Sequence, residues 1–188
     1  ATPQLGSPIY RLVANPTWAV PRSIQNGEIG EQGAGYLRRN NMAWKEGWIV
    51  QQPGPQNALG LVKFDMKNDR AIYLHDTPAK PLFDEVQRQR SHGCLRVEDA
   101  LGFADMLARD AGILDEWLAA RATGKEAFVE LPRAIPVRLY YQTVLFDDEG
   151  EPVVRADPYG WNDAVAKGLA FPERHGYKLR TSDAHIGP

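Results

Sequence analysis

The sequence predicts a strand-dominated α+β domain, on three observations. Gly and Pro (17 and 14 residues) account for 31 of the 188 positions, well above the roughly 12% of an average chain. They cut the chain into short segments, as turns between strands do. The longest unbroken hydrophobic runs are four residues, Ala71 to Leu74 and Trp117 to Ala120. Only one stretch, beginning near Val97, carries a clear helical repeat.

Taken in order, Ile9 to Ala14 reads as a first strand, closed by the Asn15-Pro16 turn. Trp18 to Val20 follows, ending at Pro21. Residues 22 to 46 are polar and glycine-bearing, and read as an excursion carrying a little helix. Trp48 to Val50 and Leu61 to Met66 are strands, separated by the Pro53-Gly54-Pro55 turn. Ala71 to Leu74 reads as a buried strand because it is continuously apolar. Val97, Leu101, Ala104, Leu107 and Ala108 recur at helical spacing, with Glu98 and Asp99 in the first turn and Gly112 as the stop. A second helix spans Leu114 to Ala122, before Gly124. Ala127 to Leu131 and Pro136 to Phe146 are strands. The turn at residues 147–150 leads into Pro152 to Arg155 as a hairpin. Trp161 to Leu169 reads as a short helix, and the rest as a mobile tail.

Composition narrows the function classes. A hydrophobic fraction of 43% supports a packed core and excludes wholesale disorder. A formal charge of -2 leaves no electrostatic footprint for nucleic acid or an anionic membrane. No run approaches the ~20 residues of a membrane helix. The single cysteine, Cys94, excludes an intramolecular disulfide and a multi-cysteine zinc cage. It is either a buried bystander or a reactive thiol.

Its neighbours favour reactivity. Cys94 stands in Ser91-His92-Gly93-Cys94-Leu95-Arg96, just ahead of the helix expected from Val97. A helix start favours thiolate over thiol. Gly93 permits close backbone approach, so the N–H groups of His92, Gly93 and Cys94 form a candidate oxyanion hole. His75, at a strand end, and His92 are candidate bases. Alone, a cysteine is by default a small buried hydrophobe, and the Cys-His spacing does not by itself prove a site. A metal site of His75, His92 and Cys94 is a weaker alternative, since the spacing suits tetrahedral zinc poorly and a fourth ligand is not evident.

His75, fifteen intervening residues, then Ser91-His92-Gly93-Cys94 resembles the catalytic motif of the L,D-transpeptidases of YkuD type. Asn15-Pro16-Thr17-Trp18, Gln52-Pro53-Gly54-Pro55 with Asn57-Ala58-Leu59-Gly60, and Tyr73 to Pro78 are similar to the large periplasmic Gram-negative branch. The likeness covers about Thr2 to Tyr159. It departs from many members in carrying Arg96 two positions after the cysteine, as that branch does, and Asp76 after the histidine. The excursion at 22 to 46 resembles a shortened substrate-covering lid.

The resemblance implies a YkuD-type catalytic fold of β-sandwich-like mixed sheets, one main helix after the cysteine, and a short lid. Residues 1–158 would form the catalytic domain and 159–188 an extension. The chain opens at Ala1 without a visible leader and is expected to be the catalytic portion of an exported, periplasmic protein. Implied roles are Cys94 as nucleophile, His75 as base, and Arg96, Tyr73, Trp18 and Ser91 as substrate contacts. The implied reaction cross-links peptidoglycan stem peptides through a cysteinyl thioester with release of D-Ala. Neither metal nor cofactor is expected, and the chain is expected to act as a monomer. Water in place of the acceptor amine would make it an L,D-carboxypeptidase. A domain that keeps the pocket but only binds the wall is the alternative outside enzymes.

Overall fold

The computed structural model describes residues 3–85, 88, 91 and 93–170. In chain order the elements are β1 (Leu5–Gly6), β2 (Ile9–Ala14), β3 (Trp18–Ala19), α1 (Arg22–Ile24), α2 (Ala34–Arg39), β4 (Met42–Lys45), β5 (Trp48–Gln51), β6 (Val62–Met66), β7 (Leu74–His75), β8 (Leu95–Arg96), α3 (Ala100–Asp110), α4 (Leu114–Ala122), β9 (Ala127–Ile135), β10 (Arg138–Leu139), β11 (Val144–Phe146), β12 (Pro152–Val154) and α5 (Asn162–Gly168). A π-helical turn, Gln25–Ile29, continues α1. Helices and mixed sheets together make the expected α+β architecture.

The central sheet has strand order β8-β7-β6-β2-β9. Its pairs are antiparallel except β7 with β8. Strand alternation divides its side chains between two faces. On one face Leu12, Ala14, Val62, Phe64, Leu74 and Val129 pack with Ala104, Leu107, Ala108 and Trp117 of α3 and α4. The Phe64 and Phe103 rings meet at 5.2 Å, tying β6 to α3. The other, more polar face carries Arg11, Lys63, Asp65, His75 and Arg96 around the buried Val13.

A second sheet, of order β3-β5-β4, brackets the excursion at 22 to 46. The excursion at 22 to 46 is more ordered than its polarity suggests. Ile24, Ile29, Leu37 and Met42 form a small core of their own with Val20 and Ile49. Strand β4 was not anticipated. It closes a two-residue hairpin with β5, pairing Lys45 with Trp48. The turn residues Glu46 and Gly47 both have positive φ, +51° and +78°. That geometry usually recruits Asn-Gly, so Glu46 hid the hairpin from sequence reading. Two buried amides join this layer to the rest. Asn57 donates to the Pro16 and Gln52 carbonyls at 3.0 and 2.9 Å. Gln51 donates to the Asn40 and Gln56 carbonyls and accepts the Ala58 N–H.

Three expectations need correction. Ala71 to Leu74 is not a strand, because β7 covers only Leu74–His75. Ala71 has a left-handed φ of +52°. The Asn68 side chain imposes that turn by accepting the Ile72 N–H at 3.0 Å and donating to the Ile72 carbonyl at 2.8 Å. The helix after Cys94 starts at Ala100, not Val97. Val97 still belongs to the sheet, its N–H bonding the His75 carbonyl at 2.9 Å, and Asp99 caps α3 by accepting the Gly102 N–H at 3.0 Å. Pro136 to Phe146 is not one strand: β9 runs on to Ile135, and β10 and β11 are separate pieces. Strand β2, helix α4 and the β11–β12 hairpin stand where the sequence put them. The expected tail, 171–188, lies outside the described residues.

Phe64 is fully buried at the centre of the sheet. Phe64→Ala is expected to cost roughly 3–5 kcal/mol. Urea unfolding would show it as a lower midpoint with an unchanged slope.

Candidate active site

The site is built on the β7–β8 pair. The Leu95 N–H bonds the Tyr73 carbonyl at 3.2 Å, and Val97 bonds His75 two residues on. Leu74 is registered with Leu95, and His75 with Arg96. Both leucines pack into the helix-covered core. Period-two alternation therefore sets Tyr73, His75, Cys94 and Arg96 on the opposite face. The parallel β7–β8 pairing thus sets Cys94 and His75 on one face of the sheet.

Cys94 is partly buried. Its thiol donates to the Ala71 carbonyl, with 3.7 Å between sulfur and oxygen. The Tyr73 hydroxyl faces the same sulfur and also meets the Trp18 side chain. Burial pushes the Cys94 thiol up from its ordinary value, against the opposing pull of Tyr73, Lys63 and Arg96. The thiolate-stabilising helix start expected from sequence is absent, because β8 and a turn stand between Cys94 and α3. Gly93 carries a φ of +127°, and a Cβ there would crowd Ile72 Cδ1 at 3.1 Å. Glycine is thus required at this position on two counts. The Ser91 hydroxyl accepts the Gly93 N–H at 3.2 Å and donates to the Cys94 carbonyl at 2.7 Å. Its visible work is to close the turn that presents the thiol. His92 lies outside the described residues, and with it one of the three expected oxyanion donors.

His75 is buried, and its Nδ1 bonds the Asp76 carbonyl. A carbonyl only accepts, so Nδ1 carries the proton and the neutral ring keeps its lone pair on Nε2. The Tyr73 ring stands edge-on to the imidazole, with centroids 5.8 Å apart. Burial, with the Arg96 and Lys63 charges in support, lowers the His75 pKa from 6.5 to about 4 against the pull of the Asp76 carbonyl. Both members of the pair are therefore neutral at rest.

Asp76 is not a third triad member. Its carboxylate turns away from the imidazole, accepting the Leu61 N–H at 2.9 Å and the Lys80 ammonium at 2.7 Å. Lys80 also donates to the Glu98 carbonyl. Gly60, with φ +62°, lies so close that a Cβ would collide with the Asp76 carboxylate. Arg96 stands in β8 rather than in a helical turn, registered beside His75. Trp18 packs against the small core of the 22–46 excursion and meets Tyr73, so it joins that layer to the site.

Three charged residues were missed by sequence reading. Lys63 is the cross-strand neighbour of His75, and Arg11 that of Asp65. The Asp65 carboxylate takes Lys63 at 2.8 Å and two Arg11 nitrogens at 2.8 and 2.5 Å. The available signal was the alternation Val62-Lys63-Phe64-Asp65-Met66. It sends two charges to the face opposite the core.

Acid titration tests the His75 environment. The unfolded imidazole takes up its proton near 6.5, but the folded one only near about 4. The stability contribution is whole above pH 6.5 and is lost as pH falls toward 4. The loss amounts to about 3 kcal/mol. Urea midpoints taken across that window should fall more steeply for wild type than for His75→Gln.

Comparison with known proteins gives the family. A Haemophilus influenzae protein named "Putative L,D-transpeptidase" is 30% identical over 192 aligned positions, covering 87% of this chain. The chain spans 38% of the length of that relative. Residues 1–154 match the YkuD family, described as the L,D-transpeptidase catalytic domain. A match over that much of the sequence makes this chain a member of the YkuD family of L,D-transpeptidase catalytic domains.

Proposed function

We propose that the protein is a peptidoglycan L,D-transpeptidase that works by cysteine acyl transfer. The observation that carries the reading is the placement of Cys94 and His75 on one face of the β7–β8 pair, with the imidazole held so that Nε2 is free to accept a proton. In the first half-reaction the Cys94 proton passes to His75 Nε2 as sulfur attacks the donor carbonyl. That carbonyl joins the diamino acid of a tetrapeptide stem to its terminal D-Ala. Backbone N–H groups at Gly93 and Cys94 face the developing oxyanion, Gly93 being released from Ser91. Each such donor is worth about 3–4 kcal/mol in the transition state. Collapse expels D-Ala, whose nitrogen takes the proton back from His75, and leaves a thioester. The amine of a neighbouring stem then attacks the thioester and gives its proton to His75, regenerating the thiol.

Arg96, beside His75, is suited to hold a stem carboxylate. Tyr73 and Trp18 wall the donor cleft. The family acts on the cell wall, generally outside the cytoplasm, and we place this chain in the periplasm, with residues 1–158 as the catalytic unit. Among the described residues no helix is long and apolar enough to cross a membrane.

Carbapenem labelling read by intact mass checks the nucleophile: wild type should gain one adduct and Cys94→Ala none. No adduct on wild type, or equal labelling of both, would reject the assignment. Muropeptide analysis after incubation with tetrapeptide-rich sacculi checks the reaction. Cross-linked products are expected from wild type, and a loss of about 10²–10⁴-fold from His75→Ala. Tripeptides alone would mean hydrolysis instead, and unchanged muropeptides with retained sacculus binding would mean a binding domain.

A further inference from the structure

The sulfur must carry negative charge as it attacks, yet burial opposes that charge, and β8 and a turn separate Cys94 from the start of α3. The polar face of the sheet holds a source of positive field that the mechanism above does not use. Lys63, on β6, is registered directly across from His75. Its ammonium is fixed at 2.8 Å by the buried Asp65 carboxylate. Asp65 is in turn pinned from β2 by two bonds from Arg11. The ammonium also lies 5.1 Å from the centre of the Tyr73 ring, whose hydroxyl meets Cys94. The Lys63 side chain is only 22% exposed, so water screens its field weakly.

We propose that Lys63 is an electrostatic positioning residue, whose ammonium, immobilised by Asp65 and Arg11, stabilises the negative charge that develops on the Cys94 sulfur during attack. Lys63 gains and loses no proton in the step. The thiol proton goes to His75 Nε2, the sulfur electron pair forms the new bond to carbon, and the ammonium stays where Asp65 holds it. Among the described residues, the charged and titratable groups on the Cys94 side of the sheet are Lys63 and Asp65 from β6, Tyr73 just ahead of β7 and His75 within it, Arg96 from β8, and Arg11 behind Asp65 from β2. Asp65 divides its carboxylate between two cations, and Arg11 is shared in turn with the exposed Glu130 of β9 at 3.4 Å, so Lys63 is the member of this network that acts on the thiol as a positive charge. Lys63 lowers both the Cys94 and the His75 pKa, in keeping with that sign.

The inference rests on Cys94 as the acylated nucleophile, and its test is separable from that reading. Cys94 is the sole thiol, so the pH dependence of iodoacetamide alkylation, followed by intact mass, titrates it alone. Lys63→Gln keeps a donor for Asp65 and removes the charge; Lys63→Arg keeps the charge. Lys63→Gln is expected to raise the apparent thiol pKa by about half a unit or more, a roughly threefold lower rate at fixed pH below it. Lys63→Arg should stay close to wild type. Lys63→Met serves as a second charge-free variant if Lys63→Gln does not fold. Superimposable profiles for wild type and the charge-free variant overturn the inference. So does a shift in Lys63→Arg as large as that in Lys63→Gln. A carbapenem adduct on wild type beside an unmoved titration would sink the role of Lys63 and leave acyl transfer standing. A missing adduct would sink acyl transfer itself.

Discussion

Strand β8 is two residues long, and its register against β7 decides which side of the sheet the thiol occupies. Leu74 and Leu95 are registered partners, and both pack on the helix-covered core. With them inside, Cys94 and His75 must lie on the far side. A slip of one residue would bury the thiol among aliphatic side chains and expose Leu95. Gly93, at φ +127°, supplies the backbone bend that lets the chain enter β8 in this register. Hydrophobic burial on one face thus selects the chemistry on the other.

Burial also sets the protonation states. It raises the thiol and lowers the imidazole, so the resting pair is uncharged. A neutral thiol reacts slowly with oxidants, which attack the thiolate. Burial thus shields the lone thiol from oxidation. The same burial would hinder attack if nothing supported charge in the transition state. In the mechanism proposed above, the cations of the polar face supply that support. Lys63 and Arg96 flank His75 along one cross-strand row, where they favour sulfur anion over imidazolium. The resting state stays neutral while the field favours charge on sulfur when the proton leaves.

Sequence reading reached the strands whose alternation or length was unambiguous, such as β2 and β6, and the helix α4 with its glycine stop. It reached Cys94 and His75 through motif spacing. It failed where a particular contact or turn overrode local propensity. Asn68 bends Ala71 out of the apolar run that reads as a strand. Glu46 occupies a turn position usually given to Asn, and conceals β4. Val97 has helical spacing with Leu101, yet its N–H is claimed by His75 across the sheet. The Lys63, Asp65 and Arg11 network was out of reach for another reason: charges on alternate strand positions read as solvent-facing until the strand order brings three of them together. Asn57 and Gly60 were noted as parts of a motif, but their work is visible only in contacts.

That work explains why the residue after His75 is an aspartate. The imidazole is oriented by the Asp76 main-chain carbonyl, so whatever fixes the Asp76 backbone fixes the ring. The Asp76 carboxylate does this from the far side. It takes the Leu61 N–H and the Lys80 ammonium. It also packs so tightly on Gly60 that no larger residue fits there. Gly60 in turn is held by its N–H bond to the Asn57 carbonyl at 2.8 Å, and the Asn57 side chain is tied to Pro16 and Gln52. The segments around Pro16, Asn57 and His75, distant in sequence, are one mechanical unit. A small residue in place of Asp76 would leave the His75–carbonyl bond possible but lose the anchor that holds it in register with the thiol.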